Sequence, residues 1–183
     1  MTIVVPFRRE SPKSRLPDRW RRELADAMLE DVLAACRAVA ETRVAAAPGG
    51  LGSAVAAAVR PLSGRPVAIV NADVPAVTPR DIRRLLAAAP PDGVAIVAAV
   101  DGTVNALAYR DGGLFSPQYG AGSARRFAAA APSVFVDIPN LVADVDTLDD
   151  LQRIAGRAGR ATRLALARLG AIRRTLEATP RAS

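Results

Sequence analysis

The sequence predicts an α/β fold on a mainly parallel sheet, and three observations carry that prediction. Short runs rich in β-branched residues alternate with longer segments of helical period, the pattern of repeated βαβ units. The apolar runs stop at turn signals, Pro48-Gly49-Gly50 and Asn71-Ala72-Asp73 among them. The chain has 183 residues and is 50% hydrophobic, so it can bury the core of one domain of about 100–200 residues.

The elements follow in order. Thr2 to Val5 is the first strand, and a polar loop runs from Arg8 to Pro17. Asp18 suits an N-cap, because its carboxylate can accept from the free amides of a first turn. The helix it opens runs to about Ala40, with Ala25, Met28, Leu29, Val32, Cys36 and Val39 stepping by three and four. Arg43 to Ala47 reads as a second strand and Leu51 to Val59 as a short helix. Val67 to Val70 is a buried strand ending in Asn71-Ala72-Asp73. Thr78-Pro79-Arg80-Asp81 then starts a helix with a cap, a first-turn proline and an acid at the third position. Val94 to Val100 is a strand that Asp101-Gly102-Thr103 turns into another, Asn105 to Arg110. Gly112 to Gly122 is loop, Ser123 begins a short helix, and Val134 to Asp137 is a strand. Leu141 to Asp146 reads as a last strand or extended segment, and Thr147-Leu148-Asp149-Asp150 opens a helix by the capping logic of Thr78.

From about Arg160 to Thr179, Leu166, Leu169, Ile172 and Leu176 make one stripe among arginines. This is an appended amphipathic helix, so the main domain spans 1–158 and an Arg-rich helical extension 159–183. The extension is expected to pack on the domain or on a second subunit, the latter giving a homodimer.

Composition removes several function classes. No apolar run approaches the roughly 18 residues of a membrane helix, and the short apolar N-terminus is no signal peptide, so a cytoplasmic protein is expected. Cys36 is the only cysteine, and histidine is absent, which excludes an intrachain disulfide, a Cys-type zinc site, His-based triads and His-ligated metals. Chemistry must run on carboxylates, cations, hydroxyls and backbone. The net charge of +7 favours anionic ligands such as nucleotides. With 4% aromatic residues and no recognised motif, nucleic acid is a poor fit. Of the 25 basic residues all but Lys13 are arginine.

Open α/β sheets bind ligands beyond the carboxyl ends of their strands, and the polar candidates gather there. Asp73 follows one apolar run, and Asp144-Val145-Asp146 ends another. In an extended segment residues two apart share a side, so Asp144 and Asp146 face one point. Carboxylates so placed suit Mg2+ alongside phosphates; singly, each also reads as a turn or cap residue. The loop holding Arg8, Lys13 and Arg15 has no glycine, so it is neither a Walker loop nor a dinucleotide fingerprint. It reads either as a solvated basic turn or as a cradle for a triphosphate. Gly120-Ala121-Gly122-Ser123 leads into a helix N-terminus, where backbone N–H groups can hold an anion.

Taken together the motifs resemble a known family. They are Val5-Pro6, Pro12-Lys13-Ser14-Arg15-Leu16, Asn71 to Asp81, Gly102 to Leu107, Leu114-Phe115, Tyr119 to Ala124 and Leu141 to Thr147. In this order, over roughly residues 3 to 153, they resemble the 2-phospho-L-lactate or phosphoenolpyruvate guanylyltransferases. The resemblance implies a GT-A-like, Rossmann-like nucleotidyltransferase with a three-layer αβα fold. It implies transfer of GMP from GTP to the phosphate of a three-carbon phospho-acid, with pyrophosphate released, in the biosynthesis of the deazaflavin coenzyme F420. By position it implies Mg2+ on Asp73, Asp144 and Asp146, and the catalytic cations Lys13 and Arg15 on phosphate. Pro6 and Arg8 would hold the nucleotide. Thr103, Asn105, Gly120, Gly122 and Ser123 would hold the acceptor acid. The sequence departs from the family at Gly52, where an Asn is common, and at Phe127, where a His is common. Other readings are a related nucleotidyltransferase with another base or acceptor, and a non-catalytic nucleotide-binding member.

Overall fold

The computed structural model describes residues 1–7, 18–46 and 50–178. Lys13, Arg15 and Arg8 lie outside the described residues. The strands are β1 (Thr2–Pro6), β2 (Glu41–Ala45), β3 (Val67–Val70), β4 (Val94–Ala98), β5 (Val104–Tyr109) and β6 (Ser133–Phe135). The helices are α1 (Asp18–Arg37), α2 (Leu51–Val59), α3 (Pro79–Ala88), α4 (Ser123–Ala130), α5 (Pro139–Val142), α6 (Leu148–Ile154) and α7 (Arg160–Ala178).

The strands form one sheet in the order β2-β1-β3-β5-β4-β6. β2, β1 and β3 run parallel, β4 and β6 run parallel, and β5 is antiparallel to both of its neighbours. Alternation along each strand sends side chains to opposite faces, and both faces are covered. Ile3, Val5, Ala68, Val70, Ala95 and Val97 pack with Val32 and Cys36 of α1 and Ile82 and Leu85 of α3. Val4, Ile69, Ile96 and Leu107 pack on the other side with Val55 and Val59 of α2 and Phe127 of α4. The three-layer expectation is met.

A third apolar cluster lies outside the sheet. Leu24 and Met28 of α1, Leu151 and Ile154 of α6, and Ala165 and Leu169 of α7 enclose Val145. The start of the C-terminal helix therefore packs on the rest of this chain.

Boundaries shift where the local signal was thin. β2 starts two residues earlier than expected, because most of its side chains are exposed and give no alternation. The one change of type is at Leu141–Asp146. Pro139 occupies the first position of a helical turn, where a fixed φ and missing N–H cost nothing. Leu141 and Val142 donate to the Ile138 carbonyl, so no strand forms. Asp144 and Asp146 lie in irregular chain after it.

Candidate active site

The carboxyl ends of β1, β3, β4 and β6 and the start of β5 meet at one edge of the sheet, as their directions require. Asp73 follows β3 there. The N–H of Val145 donates to the Asp73 carbonyl at 2.9 Å, which ties the two acidic segments together. Val145 is fully buried in the cluster with α1 and α6. Its neighbours on either side are only partly buried, and ligand oxygens of Asp73, Asp144 and Asp146 all lie within 4.8 Å of one another. The two carboxylates thus converge without a strand, because one buried valine turns the chain so that both neighbours face Asp73.

The surroundings fix this cluster from several directions. Asp150 Oδ2 accepts from the Asp146 N–H at 3.0 Å, the Thr147 N–H at 2.8 Å and the Thr147 hydroxyl at 2.8 Å. Burial pushes the Asp150 carboxyl up, but these hydrogen bonds and Arg153 outweigh it and hold the group below its ordinary value of 3.8. The buried Asn105 donates from Nδ2 to the Val142 carbonyl at 3.2 Å. Asn71 donates its N–H to the Asn105 carbonyl at 2.9 Å and its Nδ2 to the Val104 carbonyl at 2.9 Å. Asn105 is therefore a bridge between β5 and the acidic loop. Three hard oxygen donors so gathered fit a divalent cation such as Mg2+. A cavity of about 590 Å³ opens beside Asp144 and Asp146, with Asp101 and Arg157 in its wall.

The glycine-rich segment comes to the same edge. Gly120 and Gly122 have φ of 112° and 68°, values that only glycine adopts freely. The Ala124 N–H donates to the Gly102 carbonyl at 3.2 Å, and the buried Ser123 hydroxyl accepts from the Val104 N–H at 3.0 Å. The Ser123 N–H donates to the Gly120 carbonyl at 3.0 Å. Two of the amides that a helix N-terminus would offer an anion are thus occupied. Thr103 closes the β4–β5 turn by donating its N–H and hydroxyl to Asp101 Oδ1 at 2.9 and 2.6 Å. Pro6, the last residue of β1, is buried in the register with Ala45.

Two contributors escaped sequence reasoning. Arg126 donates to the Gln118 carbonyl at 2.9 Å, to the Tyr119 carbonyl at 3.0 Å and to the Ala121 carbonyl, wrapping the segment that precedes Gly122. No sequence signal separates it from the other arginines. Asp150 was visible only as a cap acid. Phe127 is a core residue stacked among Phe115 and Tyr119, which accounts for the absence of a polar side chain there. Burial pushes the Cys36 thiol up to about 12, so it is no nucleophile at neutral pH.

Residues 18–172 match the MobA-like NTP transferase domain, and that defines the class: a nucleotidyltransferase fold with a carboxylate edge. The fold is shared with a structure assigned as a nucleotide-diphospho-sugar transferase from Desulfovibrio desulfuricans G20, at a TM-score of 0.69 and 15% identity over 95% of this chain and 96% of that one. A Methanothermobacter nucleotidyl transferase gives 0.55 and 18% over 84% and 94%. Among sequence relatives, a phosphoenolpyruvate guanylyltransferase of Nocardia farcinica is 35% identical over 92% of this chain and 91% of its own. A 2-phospho-L-lactate guanylyltransferase of Haloferax volcanii is 34% identical over 84% of each. The chain belongs to the phosphoenolpyruvate and 2-phospho-L-lactate guanylyltransferase family.

Proposed function

We propose that this chain transfers GMP from GTP to the phosphate of phosphoenolpyruvate or 2-phospho-L-lactate, releasing pyrophosphate, in coenzyme F420 biosynthesis. The observation that carries the reading is the convergence of Asp73, Asp144 and Asp146 beside a cavity at the strand ends. These carboxylates would hold Mg2+, which supplies charge neutralisation on the phosphates when bound. Lys13 and Arg15 would add positive charge for the triphosphate, and Pro6 and Arg8 would serve the nucleotide. Thr103, Gly120 and Gly122 border the acceptor, with Asn105 and Ser123 supporting them from within.

An oxygen of the acceptor phosphate attacks the α-phosphorus of GTP. A new P–O bond forms, the bond to the bridging α–β oxygen breaks, and pyrophosphate leaves with the electron pair. A phosphate monoester has its second pKa near about 6, so the nucleophile is anionic at neutral pH and needs no general base. The absence of histidine is then no obstacle. What remains for the protein is positioning and charge compensation.

Guanine selectivity belongs to the same proposal. Pyrophosphate release measured with GTP, ATP, CTP and UTP tests the reading. Release is expected with GTP only, and only when a phospho-acid is present. Equal rates with ATP would contradict it.

A further inference from the structure

The start of the C-terminal helix is linked to the backbone that carries the carboxylate cluster. Asp31, a buried residue of α1, accepts from the amides of the second and third residues of α7. Its Oδ1 takes the Ala161 N–H at 2.9 Å and its Oδ2 the Thr162 N–H at 2.8 Å. A carboxylate there also meets the positive end of the helix dipole. The seat is close, since a Cβ on Gly159 would lie 2.2 Å from Asp31 Cγ. The Gly159 N–H donates to the Pro75 carbonyl at 2.8 Å, two residues beyond Asp73. Val145, between Asp144 and Asp146, is buried among side chains of α1, α6 and α7, and its N–H holds the Asp73 carbonyl.

We propose that α7 clamps the metal-binding carboxylates and that Asp31 is the positioning residue through which it acts. The Asp31 carboxylate fixes the start of α7, and that start holds Pro75 and backs Val145. These two contacts bear on the separation of Asp73 from Asp144 and Asp146 alongside the Val145–Asp73 bond and the Asp150 cap. The clamp rests on the reading of those three residues as metal ligands.

The test is Mn2+ binding by electron paramagnetic resonance on the full chain without nucleotide, below each variant's melting midpoint. Wild type and Asp73→Asn come first. If wild type binds no Mn2+, or Asp73→Asn binds it equally, the ligand reading fails and takes the clamp with it. Asp31→Asn keeps the volume but sets an NH2 against one of the two amides. It should weaken Mn2+ by at least about threefold, less than the roughly 10–100-fold lost with a ligand's direct outer partner. Leu62→Ala removes core volume on the opposite face of the sheet. It should melt earlier yet bind Mn2+ within about twofold of wild type, as distant sites act independently. If Asp31→Asn does not fold, Val145→Ala replaces it and carries the same threefold expectation. Asp31→Asn, or Val145→Ala in its place, binding like wild type while Asp73→Asn does not would overturn the clamp alone. So would Leu62→Ala weakening Mn2+ as much as Asp31→Asn.

Discussion

Asp150 shows how one side chain sets the position of another. Its Oδ2 gathers the amides of Asp146 and Thr147, so the backbone beside a candidate metal ligand is fixed by a carboxylate that caps α6. A carboxyl held below its ordinary value of 3.8 adds stability that is present above the unfolded pKa and lost as pH falls through the folded one. The melting difference between wild type and Asp150→Asn should therefore be constant over about pH 5–8 and shrink below about pH 4. A thermal-melt series across pH checks this; a difference that grew on acidification would reverse the sign. Ser123 makes the complementary case. The sequence suggests a hydroxyl for the acceptor, but that hydroxyl is buried and accepts from the Val104 N–H. Ser123→Ala should cost about 1–3 kcal/mol by stranding that amide, and denaturant unfolding reads the loss. Its effect on kinetics should fall on acceptor KM in step with the lost stability, because the β4–β5 turn and the α4 start, both assigned to the acceptor, share the bond. Damage to acceptor KM alone, with stability unchanged, would restore the direct contact.

At the scale of elements, the glycine-rich loop depends on a side chain from the helix it precedes. Arg126 holds the Gln118, Tyr119 and Ala121 carbonyls, and the exposed position of the residue means that its removal leaves the core intact. Arg126→Ala should raise acceptor KM at least about tenfold, roughly 1.4 kcal/mol, while the melting midpoint moves little. Steady-state kinetics with the acceptor varied at saturating GTP decide it, and an unchanged KM would show that the loop keeps its shape alone. The legibility of elements follows from how they are buried. β1, β3 and β5 are buried on both faces, so their apolar runs were readable even where they do not alternate. The segment at Leu141 offered the same apolar signal, and only Pro139 distinguished a helical turn from a strand. Asp73 was legible because sheet topology dictates where β3 ends, whereas Asp144 and Asp146 were picked out behind an apolar run read as a strand that is in fact a helical turn. Asp31 was not, since its partners on α7 lie 130 and 131 residues away and no local pattern announces them.

For the whole molecule, charge is unevenly placed. The chain carries +7 overall, yet the cavity at the strand ends is lined by Asp101, Asp144, Asp146, Asp149 and Asp150 against only Arg153 and Arg157. A triphosphate and a phospho-acid are both anions, and like charges within a few ångströms oppose binding. A divalent cation held by Asp73, Asp144 and Asp146 would offset that repulsion, so on the proposed function turnover is expected to depend on added metal. Among the described residues no helix is long and apolar enough to cross a membrane. The most direct measurement is mass detection of product after incubation with GTP, Mg2+ and, separately, phosphoenolpyruvate, 2-phospho-L-lactate and 3-phosphoglycerate. A guanylylated acid is expected with one of the first two, none without Mg2+, and none from Asp146→Asn, whose fold should persist. Formation of that product by Asp146→Asn at the wild-type rate, or no guanylylated acid from wild type with either of the first two acceptors, would contradict it.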